Sequence, residues 1–298
     1  MTRPPGSGPG DPSVRADVLA DTAVRALRAE ALLSPKPGLV DARGSGAHDD
    51  MDLPLLLASA EALRPTFRAV ADTAKRLVFG AELREELGRL GRAGDQAMSR
   101  ATGEVNTHRG ALWALGLLVA AIAGGAGDER CAAGGAAGLA ALPDQWIPAG
   151  QASHGELVRR RYGTGGARGE AEDAFPHVIE VALPRLRRAR ADGRSEEVAR
   201  LDALLAVMSL LNDTCVLHRG GRAGLRVVQL GASHVLAEGG AGTDRGRSAL
   251  LELDHRLRGL RLSPGGSGDL LAAALFLDML PWPGRRLRAE LEVTACRR

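Results

Sequence analysis

Apolar residues recur at intervals of three and four along most of the chain, which is the period of an amphipathic α-helix. The pattern predicts helices at 14–33, 53–70, 81–101, 107–123, 130–142, 150–161, 172–190, 196–211, 223–238, 245–258 and 268–280. Strand-like segments do not alternate with these helices. We therefore predict an all-α protein, a multi-helix bundle with one helical domain at 14–280, a flexible N-terminal tail at 1–13 and a C-terminal tail at 281–298.

The composition supports a helical protein. Aromatic residues make up 3% of the chain, and Ala and Leu outnumber the β-branched apolar residues that favour strands. We find no internal repeat, and no linker rich in Pro, Gly and Ser that is long enough to separate two domains. The simplest prediction is therefore a single domain.

Cysteine usage and the longest apolar stretch both bear on the compartment. Cys131, Cys215 and Cys296 are far apart and form no CxxC pair, which argues against a disulfide framework or a zinc site. The apolar stretch at 111–123 is shorter than the roughly 20 residues that cross a bilayer. Residues 1–12 have no apolar signal-peptide core. We expect a cytoplasmic protein that does not enter a membrane.

The charge balance argues against nucleic acid as a partner. The 39 basic residues face 36 acidic ones, and both kinds are spread along the whole chain. Only Lys36 and Lys75 are lysines, so 39 minus 2 leaves 37 arginines. Because arginine binds phosphate through parallel N–H bonds, the arginines inside motifs are candidates for a phosphate ligand.

The first unusual loop reads SPKPGLVD at 34–41 and continues to GAHDDMD at 46–52. Two prolines stiffen the backbone around Lys36, and Asp41, His48 and Asp50 follow closely. This set suits a metal or a phosphate. A helix end followed by an Asp-rich N-cap explains the same residues equally well.

The second loop, GEVNTHRG at 103–110, directly precedes the most apolar helix. Asn106 or Thr107 can cap that helix, and the free N–H groups at its start favour an anion. Capping does not explain why His108 and Arg109 enter a helix that is otherwise predicted to be buried, because a buried charge needs a partner. An anion site is therefore the second hypothesis for this loop.

Two further loops place charge beside glycine. The third, at 162–171, carries Arg168 and Glu170 in a glycine-rich turn that either approaches a ligand closely or only connects two helices. The fourth, at 212–221, carries Asp213 and Arg219 after an apolar helix. These two residues suit Mg²⁺ or a general base, or they form a salt bridge that ties the loop.

The fifth loop, SPGGSGD at 263–269, opens the last apolar helix. Small residues and exposed N–H groups at a helix N-terminus form a cradle for an anion. Asp269 competes for the same positive dipole and is a candidate metal ligand. The chain has no GxxxxGK[ST] motif and no complete GxGxxG, HExxH or GxSxG, so common nucleotide-binding and hydrolase frameworks are excluded.

Several segments carry a resemblance to a known family. They are SPKPGLVD at 34–41, GAH at 46–48, VNTH at 105–108, GARGEA at 166–171, DT at 213–214, RGG at 219–221 and SPGGS at 263–267. In this order and spacing the chain resembles the triphosphoribosyl-dephospho-CoA synthase family from about residue 24 to residue 280. It departs from the family at Arg109 for lysine, Cys215 for asparagine, Asp49 beside the family aspartate at Asp50, and Gly268 for alanine.

The resemblance implies an all-helical enzyme whose substrates are ATP and 3′-dephospho-CoA. The 5-triphosphoribosyl group of ATP would be joined to the 2′-hydroxyl of dephospho-CoA, with release of adenine and inversion at the ribose carbon. The product would pass to a separate transferase that acts on the acyl carrier protein of malonate decarboxylase or citrate lyase, and the length and composition favour malonate decarboxylase. The number of subunits is left open, a homo-oligomer included.

The resemblance also suggests roles for individual residues. His108 or Asp213 would take the hydroxyl proton, and Glu170 would protonate adenine. The metal would be Mg²⁺, with Asp41, Asp50, Asp213 and Asp269 as candidate ligands. The substrate would be held by Lys36, Asn106, Arg109, Arg168, Arg219, Ser263, Gly265, Gly266 and Ser267.

Two other classes of protein remain open. A Mg²⁺-dependent all-helical hydrolase of ADP-ribosyl or other N-glycosyl bonds would use similar Asp-rich loops to direct water to a ribose carbon. Such a hydrolase releases its base without dephospho-CoA, whereas the transferase needs it. A non-catalytic helical scaffold would use the five loops only as caps and salt bridges and would bind no nucleotide.

Overall fold

The computed structural model describes residues 15–145 and 154–282, and in these residues every regular element is helical. The helices are α1 (Ala16–Ala31), α2 (Leu53–Ala62), α3 (Arg64–Arg76), α4 (Ala81–Thr102), α5 (Arg109–Ala123), α6 (Glu129–Ala141), α7 (His154–Tyr162), α8 (Gly166–Glu172), a π-helical turn (His177–Ala182), α9 (Leu183–Ala191), α10 (Glu196–Leu210), α11 (Thr214–Ala237), α12 (Asp244–Gly259) and α13 (Gly265–Met279). The predicted all-α fold class is confirmed.

Helices α5 and α13 form the centre of the bundle. Both are apolar on nearly every face, which is typical of a helix surrounded by others, and most of their residues are buried. They contact each other, while α1 packs on both of them and on α3. The N-terminal ends of α5 and α13 are the two places where polar loops enter this core.

The predicted helix at 53–70 is wrong in one respect, because it is two helices. Helix α2 ends at Ala62 and α3 begins at Arg64 and continues to Arg76, with Pro65 in its first turn. Proline has no N–H to continue the hydrogen-bond ladder of a preceding helix, but it is tolerated in a first turn. The apolar spacing runs through this break, so periodicity alone does not reveal it.

Parts of three predicted loops are also helical. Gly166–Glu172 forms α8, α11 begins at Thr214 and bends at Gly221 (φ 58°), and α13 begins at Gly265. The glycines of α13 serve close packing instead of a turn. A Cβ atom on Gly266 would lie 3.2 Å from the Asp213 carboxylate, and one on Gly268 would lie 3.1 Å from Glu30 Oε1. Small residues here bring carboxylates against the start of α13.

The ends of the chain lie mostly outside the described residues. The predicted tail at 1–13 falls there, as do residues 283–298 of the predicted C-terminal tail. Trp282 is described and is buried, and its Nε1–H donates to the Leu277 carbonyl at 2.7 Å. Among the described helices, none is by itself long and apolar enough to cross a membrane. Helices α10 and α11 together reach that length and composition, with a bend of 59° between them.

Candidate active site

Lys36 and Glu30 form a buried ion pair where the first loop leaves α1. Lys36 is 1% exposed, and its Nζ donates to Glu30 Oε1 at 2.6 Å and to the Glu30 carbonyl at 2.8 Å. Glu30 is not among the residues predicted from the sequence, although a glutamate on the buried face of α1 is the signal that could have revealed it. Burying both charges is costly unless they are paired, so this pair fixes the lysine in the interior.

Asp41 stabilises the first loop through several hydrogen bonds. Its two carboxylate oxygens accept hydrogen bonds from the Lys36 backbone N–H, at 2.8 Å, and from Arg43, whose guanidinium also reaches Asp254 at 2.9 Å. Burial raises the pKa of Asp41, but the hydrogen bonds from Arg43 and Lys36 outweigh it and hold the pKa below its ordinary value. Gly38 (φ +72°) donates its N–H to Asp254, and a Cβ there would lie 2.4 Å from the Leu262 carbonyl.

His48 joins the first, fourth and fifth loops. Its Nε2 is 2.8 Å from Ser263 Oγ, and Arg219 donates to its Nδ1 at 3.1 Å. Arg219 also donates to the Ala47 carbonyl at 3.0 Å. Burial and the charge of Arg219 lower the pKa of His48, so the imidazole is neutral at pH 7. Asp50 lies at the edge of this group, 3.4 Å from His48 Nδ1 and mostly exposed.

Asp213 connects the start of α11 to the start of α13. Its Oδ1 caps α11 by accepting from the N–H of Cys215 at 2.9 Å, while its Oδ2 accepts from the N–H and the hydroxyl of Ser267 at 2.8 and 3.0 Å. Asp213 is buried, and this burial raises its pKa despite those hydrogen bonds. Two helix N-termini therefore point at one carboxylate.

Asp269 lies between α13 and the first turn of α5. Its carboxylate accepts the N–H of Ala111, and a Cβ on Gly110 would lie 2.1 Å from its Oδ2. Burial and the nearby charges of Glu30 and Asp213 raise the pKa of Asp269 well above its ordinary value. Three carboxylates are thus close enough to repel one another.

His108 is the residue that precedes α5, and it is buried. Its Nδ1 is 2.8 Å from the hydroxyl of Ser59 on α2. Its Nε2 is buried and has no hydrogen-bond partner within the described residues. Burial, with a contribution from the charge of Lys36, lowers the pKa of His108 to about 4. The imidazole is therefore neutral at pH 7, with one ring nitrogen unsatisfied.

Helix α8 carries Glu170, and the first residue of this helix packs against the start of α11. A Cβ on Gly166, at the start of α8, would lie 3.1 Å from Thr214, next to Asp213. Glu170 is buried, and its two oxygens contact the N–H of His177 at 2.9 Å and His177 Nδ1 at 2.7 Å. The hydrogen bond that His177 donates to Glu170 raises the pKa of His177, so this pair retains a proton to higher pH than an isolated histidine.

The remaining candidates, Asn106, Arg109 and Arg168, have exposed side chains, and we call these three residues the rim. Arg109 makes two hydrogen bonds of 2.8 Å to Asp95, and Arg168 makes one of 2.7 Å to Glu172. Both arginines are about half exposed, and Asn106 is exposed in the turn before α5. Exposed ion pairs of this kind contribute little stability and exchange partners readily.

The structure brings together residues of the first, second, fourth and fifth predicted loops, and the third loop meets them where Gly166 packs on Thr214. Lys36, His108, Asp213, Asp269 and Ser267 are linked through hydrogen bonds, direct packing or mutual electrostatic effects at the starts of α5 and α13. Of the other predicted metal candidates, Asp41 binds Arg43 and the backbone N–H of Lys36, and Asp50 lies by His48.

The number and placement of the acidic side chains determine how Mg²⁺ would be held at this site. Within the described residues, no group of three or more His, Cys, Asp or Glu side chains is arranged to hold a metal ion. Mg²⁺ that also binds substrate phosphates needs only one or two carboxylates. Asp213 and Asp269 are the two aspartates at the starts of α11 and α13, and burial raises the pKa of each.

The fold and the site define an all-helical protein with a buried charged site where two helix N-termini meet. Residues 16–286 match the family model CitG, described as ATP:dephospho-CoA triphosphoribosyl transferase. The chain therefore belongs to the ATP:dephospho-CoA triphosphoribosyl transferase family and is a transferase. The resemblance noted in the sequence is confirmed.

Relatives support the same family over most of the chain. A protein of Pseudomonas paraeruginosa is 57% identical over 274 residues, which cover 90% of this chain and 93% of the relative. A protein of Klebsiella pneumoniae is 53% identical over 266 residues, which cover 89% of this chain and 95% of the relative. Both are described as 2-(5″-triphosphoribosyl)-3′-dephosphocoenzyme-A synthases.

A solved structure shares the fold. The crystal structure of a protein from Archaeoglobus fulgidus, described as a triphosphoribosyl-dephospho-CoA synthase, superposes with a TM-score of 0.53. It covers 76% of this chain and 99% of its own, with 20% sequence identity. At this identity the likeness concerns the helical fold alone.

Proposed function

We propose that this chain transfers the 5-triphosphoribosyl group of ATP to the 2′-hydroxyl of 3′-dephospho-CoA and releases adenine. The observation that carries the proposal is the meeting of the starts of α5 and α13 around a buried lysine, a histidine with a free nitrogen, and carboxylates. A reaction at a ribose carbon next to a triphosphate requires cationic groups and proton-transfer groups side by side.

The start of α13 supports binding of the triphosphate. The residues Ser263, Gly265, Gly266 and Ser267 present small side chains at the positive end of a helix dipole, where the N–H and hydroxyl of Ser267 now donate to Asp213 and would exchange that carboxylate for a phosphate. Arg219 reaches the same place through His48, which contacts Ser263. Arg109 and Arg168 on the rim can exchange their carboxylate partners for phosphate oxygens. Because the triphosphate is bound but does not react, its binding orients the ribose for attack.

His108 supports the removal of the hydroxyl proton. A general base needs a free lone pair at neutral pH, and the low pKa of His108 leaves it unprotonated. Both oxygens of Asp213 already accept hydrogen bonds, so His108 is the better candidate of the two. In the proposed step the hydroxyl oxygen bonds to the ribose carbon, and the O–H proton moves to His108 Nε2.

Glu170 supports the departure of adenine. The bond from the ribose carbon to adenine breaks with its electron pair on adenine, and a proton must arrive there. Glu170 is buried, and its Oε2 lies 2.7 Å from His177 Nδ1, the distance of a hydrogen bond that a protonated His177 donates. The positive charge that develops on the ribose resembles that of glycoside cleavage, and nearby carboxylates stabilise it.

A magnesium ion is part of the proposal. Asp213 and Asp269 would hold it, together with phosphate oxygens. When bound, it would neutralise charge on the triphosphate. Asp41 is committed to Arg43, and Asp50 lies by His48, so we assign the ion to neither.

We propose that the product is a prosthetic-group precursor, which a separate transferase attaches to the acyl carrier protein of malonate decarboxylase. The support is the length and the Arg- and Ala-rich composition of the chain. Incubation of the product with that transferase and each carrier protein, followed by mass spectrometry, tests the choice, and modification of the citrate lyase carrier alone would overturn it.

The activity is tested by mixing purified protein with ATP, Mg²⁺ and 3′-dephospho-CoA and separating adenine, ADP and AMP by chromatography. The proposal predicts adenine only when dephospho-CoA is present, with no ADP or AMP. Adenine without the acceptor would instead identify an N-glycosyl hydrolase. A folded protein that binds no nucleotide would identify a scaffold.

A further inference from the structure

His108 belongs to a short chain of side-chain hydrogen bonds that reaches toward the surface. Ser59 on α2 is fully buried, and its Oγ lies 2.8 Å from His108 Nδ1 and 2.6 Å from Thr107 Oγ1. Thr107 is only partly buried. The chain thus runs from a buried imidazole, through two hydroxyls, to a residue with access to solvent.

The direction of the Ser59 hydroxyl decides which nitrogen of His108 carries hydrogen. Ser59 has one hydrogen and two neighbouring acceptors, His108 Nδ1 and Thr107 Oγ1. If Ser59 donates to Thr107, it accepts from Nδ1–H, and Nε2 keeps its lone pair. If Ser59 donates to Nδ1, the hydrogen of the imidazole lies on Nε2. Nε2 is the nitrogen without a partner within the described residues.

A general base at the position of His108 cannot easily keep an added proton. The buried imidazole lies near the Lys36 ammonium, so a second positive charge on His108 is unfavourable. A proton arriving at Nε2 therefore stays only if another proton leaves. The hydrogen bonds of Ser59 with His108 and Thr107 provide a route by which that second proton leaves.

We propose that Ser59 and Thr107 are positioning residues that hold His108 with hydrogen on Nδ1 and carry that proton away when Nε2 accepts one. The inference rests on the proposed function, in which His108 takes the hydroxyl proton. As the N–H bond forms at Nε2, the Nδ1 proton moves to Ser59 Oγ, the Ser59 proton moves to Thr107 Oγ1, and the Thr107 proton leaves to water. The imidazole is neutral before and after the step.

The experiment begins with the position of the hydrogen, which does not depend on activity. Full-length protein labelled with ¹⁵N-histidine is examined by two-bond ¹H–¹⁵N correlation, and His108 is assigned among the seven histidines with His108→Gln. Wild type should carry hydrogen on Nδ1. Thr107→Val removes the outer acceptor, so Ser59 should donate to Nδ1 and the hydrogen should move to Nε2. The same tautomer in both proteins would overturn the proposal.

The second readout is the rate of adenine release. Thr107→Val should lower kcat about 100-fold, the lower end of the roughly 10²- to 10⁴-fold that general base catalysis contributes, while the KM for ATP changes little. Thr107→Ser restores the hydroxyl and should recover most of the lost rate together with the wild-type tautomer. Thr73→Val removes a buried threonine hydroxyl on α3, outside the site, and serves as the matched control.

The two readouts separate failure of the relay from failure of the proposed function. An unchanged kcat in Thr107→Val, despite a moved hydrogen, would overturn the relay as a proton route. The predicted tautomer difference between wild type and Thr107→Val, together with no adenine release by wild type in the presence of both substrates, would overturn the proposed function and leave the hydrogen-bond chain supported.

Discussion

Lys36 and Arg168 are both cations that we assign to phosphate, yet their surroundings differ. Lys36 is 1% exposed and is bound to Glu30, whereas Arg168 is about half exposed and pairs with Glu172 one turn along the same helix. The interior cation has a fixed place because its partner cannot reach water. The rim cation gives up its partner at little cost. The comparison shows that buried charged residues hold fixed positions in the site, whereas exposed arginines such as Arg168 can change partners when a substrate binds.

The largest expected effect comes from breaking the interior pair. Lys36→Met leaves the Glu30 carboxylate buried without a counter-ion and should lower the free energy of unfolding by about 3–5 kcal/mol. Urea denaturation measures this loss. The double variant Glu30→Gln/Lys36→Met removes the stranded charge and should recover most of the stability. Equal losses in the single and double variants would contradict the importance of the pair.

A smaller effect is expected from a methyl group beside Asp269. The Cβ of Gly110→Ala would lie 2.1 Å from Asp269 Oδ2, so the carboxylate must move. We expect a loss of about 1–3 kcal/mol, as for other overpacked positions, and a lower rate of adenine release. Gly116→Ala on the same helix meets nothing within 4 Å and should gain about 0.5–1 kcal/mol. Equal thermal stability and activity of the two variants would refute the close contact.

The Glu170–His177 pair should make stability depend on pH. Because the folded pKa of His177 is raised above 6.5, its contribution is fully present below pH 6.5 and is lost as pH rises through the folded value. Glu170→Gln should therefore destabilise the protein more at pH 5.5 than at pH 9, by about 1.5 kcal/mol. Urea titrations at both pH values test this, with the exposed Glu180→Gln as control. A loss independent of pH would argue against a charged pair.

The smallest effect on stability is expected at the rim. Arg168→Met should change the free energy of unfolding by no more than about 0.5 kcal/mol. It should nevertheless raise the KM for ATP about tenfold, the equivalent of one charge-assisted hydrogen bond. Arg188→Met breaks a comparable exposed pair with Asp192 on α9, away from the site, and should leave the KM unchanged. A KM raised equally by both variants would indicate a general effect of charge.

Much of the fold was predictable because apolar spacing is strong in these helices. The apolar pattern of α5 and α13 predicted buried helices close to their observed bounds. The break between α2 and α3 was not predictable from spacing, since apolar positions continue through Leu63. The helical turns at Gly166 and Gly265 were hidden by glycines, whose role here is close packing against Thr214 and Cys215.

The site was predictable in part. Lys36, His108 and Asp213 are chemically unusual next to apolar helices, so the sequence drew attention to them, and the structure connects them. Glu30 and Ser59 were missed because each lies within a helix, and only packing reveals that they touch Lys36 and His108. Tertiary partners of this kind have no local signature in a single sequence.

The division between interior chemistry and rim binding can be measured directly. Adenine release is followed in wild type, His108→Gln and Arg168→Met over a range of ATP concentrations, at saturating dephospho-CoA. The account predicts that His108→Gln lowers kcat at least about 100-fold with ATP binding retained, whereas Arg168→Met raises KM and is largely rescued by saturating ATP. A full rate in His108→Gln, or an Arg168→Met defect that saturating ATP does not relieve, would contradict it.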